Sequence, residues 1–147
     1  MQSQDVKRFT GDIWHVTNKQ RTSLLLWRSN ETTFTVTRDG EYNPILTGGI
    51  YSVVDDKYKK VFNKLPDQVT IQKIKIIDLE FKTKVKNYIE LKIQNKIDVQ
   101  SIHTENYNGL KVWHYNGQIF VSGDLKNELI RVGGDELEFS LGFSRFG

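Results

Sequence analysis

The Asn116-Gly117 pair constrains the fold of this chain more than any other feature of its sequence. Asn-Gly between stretches of alternating apolar residues is typical of a two-residue type I′ turn, because both turn positions take a positive φ angle. Such a turn sets four pairs opposite each other: Val112–Val121, Trp113–Phe120, His114–Ile119 and Tyr115–Gln118. One face of this hairpin is then apolar, with His114 on it, and the other mixes aromatic and polar residues. A second such turn at Asn108-Gly109 would add a preceding strand and bring His103 opposite His114.

Strand signals recur along the rest of the chain. Segments rich in β-branched and aromatic residues occur at 12–17, 23–28 and 32–37,. Alternating apolar residues also occur at 137–143, near the C-terminal end of the sequence. Trp14 and Trp27 lie within apolar strands, so we expect both in the core.

Residues 69–102 alternate in the same way and are expected to form further strands. A three-residue loop at 86–88 would oppose apolar residues of 81–85 with apolar residues of 89–93 on one face. The other face would be solvated. Its residues would be Glu80, Lys82, Lys84, Glu90, Lys92 and Gln94.

Two segments have helical spacing. Apolar residues at Tyr58, Val61, Phe62 and Leu65 predict a short amphipathic helix over 56–65, which Pro66 ends,. A second helical turn is predicted over 124–131. The chain contains no Ala, the best helix former, which argues against a helical bundle,.

These patterns predict one all-β domain over 1–147. We expect an antiparallel β-sandwich or barrel of about ten strands with one short helix at about 56–65. The polar N-terminal segment has no apolar secretory signal, and the longest apolar run, residues 24–27, is too short to span a bilayer,. A soluble cytoplasmic protein is therefore expected.

Few residues of the sequence indicate a catalytic or metal-binding role. Cysteine is absent, which excludes disulfides and thiolate chemistry,. We find no Gly-rich phosphate loop, His-Glu-x-x-His pair or nucleophile elbow, so we expect neither an enzyme nor a cofactor. A metal site at His103 and His114, with Glu105 or Glu128 as third ligand, is weighed against a core-edge His114 and a surface His103, and we favour the latter.

Two surfaces are candidates for binding. The mixed face of the hairpin carries Lys111, Trp113, Tyr115, Gln118 and Phe120. It fits a packing surface against a second sheet or another subunit, or a platform that stacks on sugar rings.

The second candidate surface is basic. Residues 57–96 hold 11 Lys and 4 acidic residues although the whole chain has a net charge of only +3. The basic face consists of Lys73, Lys75, Lys82, Lys84 and Lys92. Nucleic acid is a conceivable partner, but this stretch has no Arg and only one exposed-looking aromatic, so a solvated strand face explains the lysines better.

The sequence predicts a compact β domain without catalytic or cofactor-binding motifs, and this combination favours a structural role. We expect a subunit that contacts copies of itself and other structural proteins of an assembly. A virion protein of a tailed bacteriophage fits best, as a head–tail connector, tail ring or capsid-decorating component assembled in the host cytoplasm. The alternative is a carbohydrate- or surface-binding β-sandwich module with a glycan ligand.

Overall fold

The computed structural model describes residues 12–46, 50–78, 87–103 and 105–144. Strands account for 43% and helices for 17% of it, which confirms the all-β class. The described strands form three open sheets and no closed barrel, so the arrangement is sandwich-like.

Eleven strands are described. In chain order they are β1 (Ile13–Asn18), β2 (Leu25–Asn30), β3 (Thr33–Arg38), β4 (Ile45–Leu46), β5 (Val53–Asp55), β6 (Val69–Lys73), β7 (Lys75–Ile77), β8 (Tyr88–Ile93), β9 (Val112–Tyr115), β10 (Gln118–Ser122) and β11 (Leu137–Leu141). The helical segments are a 3₁₀ turn (Asp56–Tyr58), α1 (Lys59–Phe62), a second 3₁₀ turn (Ser101–His103) and α2 (Gly123–Gly133).

The strands are arranged in three sheets. The hairpin sheet has the order β9-β10-β1-β11, the central sheet β4-β5-β8-β6 and the outer sheet β2-β3-β7. Most neighbours are antiparallel, but β7 pairs with β3 in parallel. The prediction that all strands pair antiparallel is therefore wrong for β3 and β7.

The β9–β10 hairpin has the predicted register. All four expected pairs form, and the turn residues Asn116 and Gly117 have φ angles of 49° and 82°, as a type I′ turn requires. The second predicted turn, at Asn108-Gly109, does not join two strands, because the residues before it form the 3₁₀ turn at Ser101–His103.

The central sheet separates two hydrophobic cores. Its first face packs, together with α1 and α2, against the inner face of the hairpin sheet, where Val16, Ile89 and Val121 are buried. Its second face packs against the outer sheet around Val53 and Phe34. Both faces of the central sheet are thus covered, as in a three-layer stack.

The helix predicted at 56–65 is shorter than expected. Asp55 caps the 3₁₀ turn by accepting a hydrogen bond from the Lys57 amide at 2.9 Å, and α1 then ends at Phe62. The predicted apolar stripe is confirmed. Its four members, Tyr58, Val61, Phe62 and Leu65, are all buried in the first core.

The second helix is longer than the predicted 124–131. It begins directly after β10, where the Ser122 hydroxyl accepts a hydrogen bond from the Leu125 amide at 3.4 Å. It ends at Gly133, and Gly134 follows with a φ angle of 65°. The buried Leu125 and Leu129 attach the helix to the first core.

The hairpin predicted around 86–88 is only partly within the described residues, since 79–86 lie outside them. On the described side, Tyr88 begins β8 instead of forming a turn. Apolar residues of β8 pair with β6, in the order Ile89–Lys73, Leu91–Ile71 and Ile93–Val69. The Tyr88 ring is buried in the second core, which explains why this residue belongs to a strand.

Along the described part of the chain, no helix has the length and apolar character needed to cross a bilayer.

Candidate functional site

The aromatic residues of the predicted binding face are buried inside the chain. Trp113 is 2% exposed and Phe120 is fully buried. Together with Ile13 and Ile97 they form a third core on the outer side of the hairpin sheet. Neither side chain is therefore available to a sugar ring or to another subunit.

A loop of the same chain covers this face. The Trp113 indole donates a hydrogen bond to Glu105 Oε1 at 3.0 Å, and the Tyr107 ring meets the Trp113 ring edge-on at 5.5 Å. Tyr115 packs against Phe143 at 5.3 Å. The face is thus a packing surface within the chain, and its cover is this loop together with Phe143 rather than a second sheet or a neighbouring copy.

The polar members of the same face lie at its edges. Gln118 is half-buried, and its Oε1 lies 2.8 Å from His15 Nε2. The His15 ring stacks on Phe120 at 4.9 Å. Lys111 is half-buried at the start of the hairpin. Gln118 thus reaches the third core through His15.

The predicted histidine pair does not form. Lys96, rather than His103, lies opposite His114 in a parallel bridge. Glu105 bonds to Trp113, and Glu128 pairs with Lys64 at 2.5 Å. Among the described residues, no group of three or more potential ligands could hold a metal ion.

The environment of His114 fits the core-edge interpretation. Burial lowers the pKa of its imidazole, and the neighbouring Lys96 lowers it further. A neutral imidazole is favoured because the charged form would be partly desolvated and close to an ammonium group.

The predicted basic face is divided between two sheets. Lys73 ends β6 in the central sheet, whereas Lys75 begins β7 in the outer sheet. Both are exposed, as is Lys92, whose Nζ lies 3.9 Å from Glu31 Oε1. Lys82 and Lys84 lie outside the described residues. The described lysines therefore do not form one continuous strand face.

Glu90, predicted to be solvated, is 5% exposed. Its carboxylate accepts a hydrogen bond from the Arg28 guanidinium, which also lies over the Phe34 ring at 4.6 Å. The prediction for Glu90 was wrong because the outer sheet covers this face of β8.

The largest exposed aromatic is Trp27, which was expected in the core. Its side chain is 70% exposed, and Leu25, two residues earlier on the same strand, is 40% exposed. The intervening Leu26 is buried in the second core. β2 therefore alternates strictly here, although its sequence reads as a continuous apolar run.

Trp27 is part of a larger surface on the outer sheet, which we call the Trp27 face. Trp27, Thr35 and Ile77 occupy one row across the three strands. The face comprises Leu25, Trp27, Ser29, Thr33, Thr35, Thr37, Lys75 and Ile77. It presents apolar side chains and hydroxyl groups around Lys75, and the exposed Arg38 lies opposite Leu25 at its end.

The edge of the outer sheet is less suited to pairing than its face. β2 is an edge strand among the described strands, but its register with β3 shifts between Leu25 and Leu26 and again between Arg28 and Asn30. Bulges of this kind bend an edge and discourage strand addition. Side chains of the Trp27 face, rather than backbone groups of β2, are the groups offered for binding.

Trp14, in contrast to Trp27, is covered by another side chain. It lies on the inner face of the hairpin sheet, and Lys126 Nζ of α2 sits 3.6 Å from its ring centroid. The structure supplies this indole with a cation–π partner. No comparable side chain of the described residues lies over Trp27, which is why it remains exposed.

A cleft of about 370 Å³ adjoins the Trp27 face. Leu25 belongs to both, and buried Leu24, Ile45 and Leu46 line the cleft with apolar surface. Its polar lining consists of Thr17, Asn18, Lys19, Gln20, Arg21, Thr22 and Glu138. The cleft extends the exposed apolar surface into a concave region with charged walls.

The chain matches no known protein family, and comparisons with curated proteins and with solved structures found no similar protein. The surfaces of this chain are therefore the basis for a proposed function.

Proposed function

We propose that this protein is a structural subunit of a larger assembly and that it binds a protein partner through the Trp27 face. The observation that carries the proposal is the 70% exposure of Trp27 beside the 40% exposure of Leu25 on one strand. Tryptophan is enriched among the residues that dominate binding energy at protein interfaces. An exposed indole with apolar neighbours is most simply explained as a contact that a partner covers.

The composition of the face favours protein over nucleic acid. Its cations are Lys75 and, opposite Leu25 at its end, Arg38, whereas contacts to a phosphate backbone require several basic groups,. The surrounding hydroxyls of Ser29, Thr33, Thr35 and Thr37 suit the polar rim of a protein interface.

A glycan is the second candidate. The indole of Trp27 is accessible for stacking, and the hydroxyls of Ser29 and Thr35 lie beside it in contact with each other. Flat apolar sugar faces stack on such aromatic platforms. The predicted glycan residues Trp113 and Phe120 are buried, so a glycan would have to bind at Trp27 instead.

The setting that we propose for the subunit is the virion of a tailed phage, as a head–tail connector, tail or capsid-decorating component. The support for this is compositional. Abundant Lys, Asn and Ile indicate an AT-rich coding sequence, and no catalytic motif competes with a structural role.

The test is the native mass of the complex, measured by light scattering on protein from its natural source, for wild type and Trp27→Ala. We expect a large complex of fixed stoichiometry with wild type, and about 30-fold weaker association with the variant, because interface tryptophans typically contribute 2 kcal/mol or more. Val99→Ala is the matched control, since Val99 is 60% exposed but lies far from β2 in sequence and outside every sheet.

The stability of the isolated chain separates binding from folding. Because Trp27 is mostly exposed, its replacement should change the free energy of unfolding by no more than about 0.5 kcal/mol. A 17.1 kDa monomer from the natural source, or an assembly indifferent to Trp27→Ala, would contradict the proposal. Glycan-array binding that Trp27→Ala abolishes would replace it with the carbohydrate alternative.

A further inference from the structure

We infer that the cleft beside the Trp27 face takes a segment of the partner protein in which an acidic residue lies close to a large apolar residue. The inference rests on the proposed function and names the chemistry of the partner. The Trp27 face would take the apolar side chain, and the cleft would take the carboxylate.

The first support is continuity between the two surfaces. Leu25 lines the cleft and lies on the same side of β2 as Trp27. Residues two apart on a strand are separated by about 7 Å, which two residues of an extended segment span. A single bound segment can therefore contact both surfaces.

The second support is the shape of the cleft. Its volume of about 370 Å³ fits one or two side chains, and its floor consists of the buried Leu24, Ile45 and Leu46. An apolar floor with polar walls is typical of binding clefts, where a few polar groups fix the orientation of the ligand.

The third support is one cation in the walls, Arg21. Two cations, Lys19 and Arg21, line the cleft together with one acid, Glu138. Lys19 Nζ lies 3.8 Å from Asp135 Oδ2, which offsets its charge. Arg21 is exposed and makes no hydrogen bond or ion pair with any other described residue. Its guanidinium is thus available to a carboxylate, which it can bind through two parallel hydrogen bonds.

The test uses two blocked pentapeptides, Glu-Ser-Leu-Ser-Phe and Gln-Ser-Leu-Ser-Phe, which differ only in charge. Each is titrated into the isotope-labelled full chain and followed by amide and indole NMR shifts. We expect the acidic peptide to shift Arg21, Leu25 and the Trp27 indole, and to bind about 3- to 5-fold more tightly than the neutral one, as a partly exposed ion pair allows. Added salt should reduce this difference.

Two variants identify the groups responsible. Arg21→Gln should reduce the affinity for the acidic peptide to that for the neutral one and leave the neutral peptide unaffected. The matched control, Arg131→Gln, replaces an exposed arginine of α2 outside the cleft and should preserve the preference for the acidic peptide.

The outcomes separate this inference from the proposed function. If both peptides bind equally at the Trp27 face, or if Arg21→Gln leaves the preference unchanged, the acidic requirement is wrong while protein binding at the face stands. Absence of shifts at Arg21 and Leu25 with either peptide would also overturn the inference. If Trp27→Ala leaves the native complex unchanged, the proposed function itself fails.

Discussion

Gly133, the last residue of α2, lies against a buried side chain of the neighbouring 3₁₀ turn. A Cβ atom at this position would come within 1.9 Å of the Tyr58 hydroxyl oxygen. That hydroxyl donates a hydrogen bond to Glu136, whose carboxylate also accepts from Lys57 Nζ at 2.7 Å. Burial raises the pKa of Tyr58 far above its ordinary value, and the hydrogen bond to Glu136 raises it further. Tyr58 therefore has little freedom to make room.

We predict that Gly133→Ala destabilises the protein by about 1–3 kcal/mol, because the added methyl overpacks the contact with Tyr58. Gly123→Ala, at the other end of α2, is the matched control. Nothing lies within 4 Å of a Cβ there, so this variant should be neutral or more stable by about 0.5–1 kcal/mol. Denaturant unfolding of both variants gives the comparison.

A double variant identifies the clashing atom. Tyr58→Phe removes the hydroxyl, so Gly133→Ala should cost less in that background than in the wild type. Equal effects of the two glycine substitutions, or no coupling with Tyr58→Phe, would show that the contact is not tight.

At the scale of secondary-structure elements, residues 95–97 add a short parallel segment to the edge of β9. The His114 amide donates to the Asn95 carbonyl at 2.9 Å, and the Ile97 amide donates to the His114 carbonyl at 3.1 Å. This segment leads into the loop that covers Trp113. His114 lies where the segment joins the sheet. Burial is the larger cause of its lowered pKa, and the charge of Lys96 is the smaller one.

The sign of the pH dependence follows from this lowered pKa. The unfolded chain binds the proton more readily than the folded chain, so the contribution of His114 is fully present above the ordinary histidine pKa of about 6.5 and is lost as the pH falls through the folded value. We predict that the free energy of unfolding falls between pH 7.5 and pH 5, and that His114→Gln reduces this slope.

NMR titration of the His114 ring provides the direct measurement. Lys96→Met should raise the pKa of His114 only partly toward its ordinary value, because burial is the larger cause. The prediction would be contradicted if the free energy of unfolding had the same dependence on pH in wild type and in His114→Gln.

At the scale of the whole molecule, one partly buried ion pair joins the outer sheet to the central sheet. Arg28 of β2 pairs with Glu90 of β8, and the second carboxylate oxygen, Oε1, is buried without a hydrogen-bond partner among the described residues. The side chain of Glu90 is 6% exposed and that of Arg28 is 36% exposed. The carboxylate therefore depends on Arg28 for compensation of its charge.

We predict that Arg28→Ala destabilises the protein by about 2–4 kcal/mol, because it leaves a buried carboxylate without its cation. Lys92→Ala is the control, since Lys92 and Glu31 form an exposed pair at 3.9 Å that should contribute no more than about 1 kcal/mol. Thermal unfolding measures both changes.

The double replacement Arg28→Met with Glu90→Leu removes both charges, and most of the stability lost in Arg28→Ala should return. A double variant as unstable as Arg28→Ala would show that packing, rather than the unpaired charge, causes the loss.

Features that a few neighbouring residues encode were predicted correctly, whereas features that depend on residues distant in sequence were missed. The register of β9 and β10 was predicted correctly because Asn116-Gly117 alone fixes the turn. Helical spacing likewise predicted the stripe of α1, although its length was overestimated. The parallel β7, the strand position of Tyr88 and the burial of Glu90 were missed, since each depends on a partner distant in sequence.

The sequence by itself determined the all-β class and the register of the β9–β10 hairpin, because turn geometry and side-chain period act over a few residues. Only the tertiary structure decided which alternating faces are covered. Trp113 is buried because a loop returns over the hairpin sheet, whereas Trp27 is exposed because no described segment packs on the side of the outer sheet that faces away from the central sheet. The two faces look equally apolar in sequence, and burial is set by chain segments that local pattern does not specify.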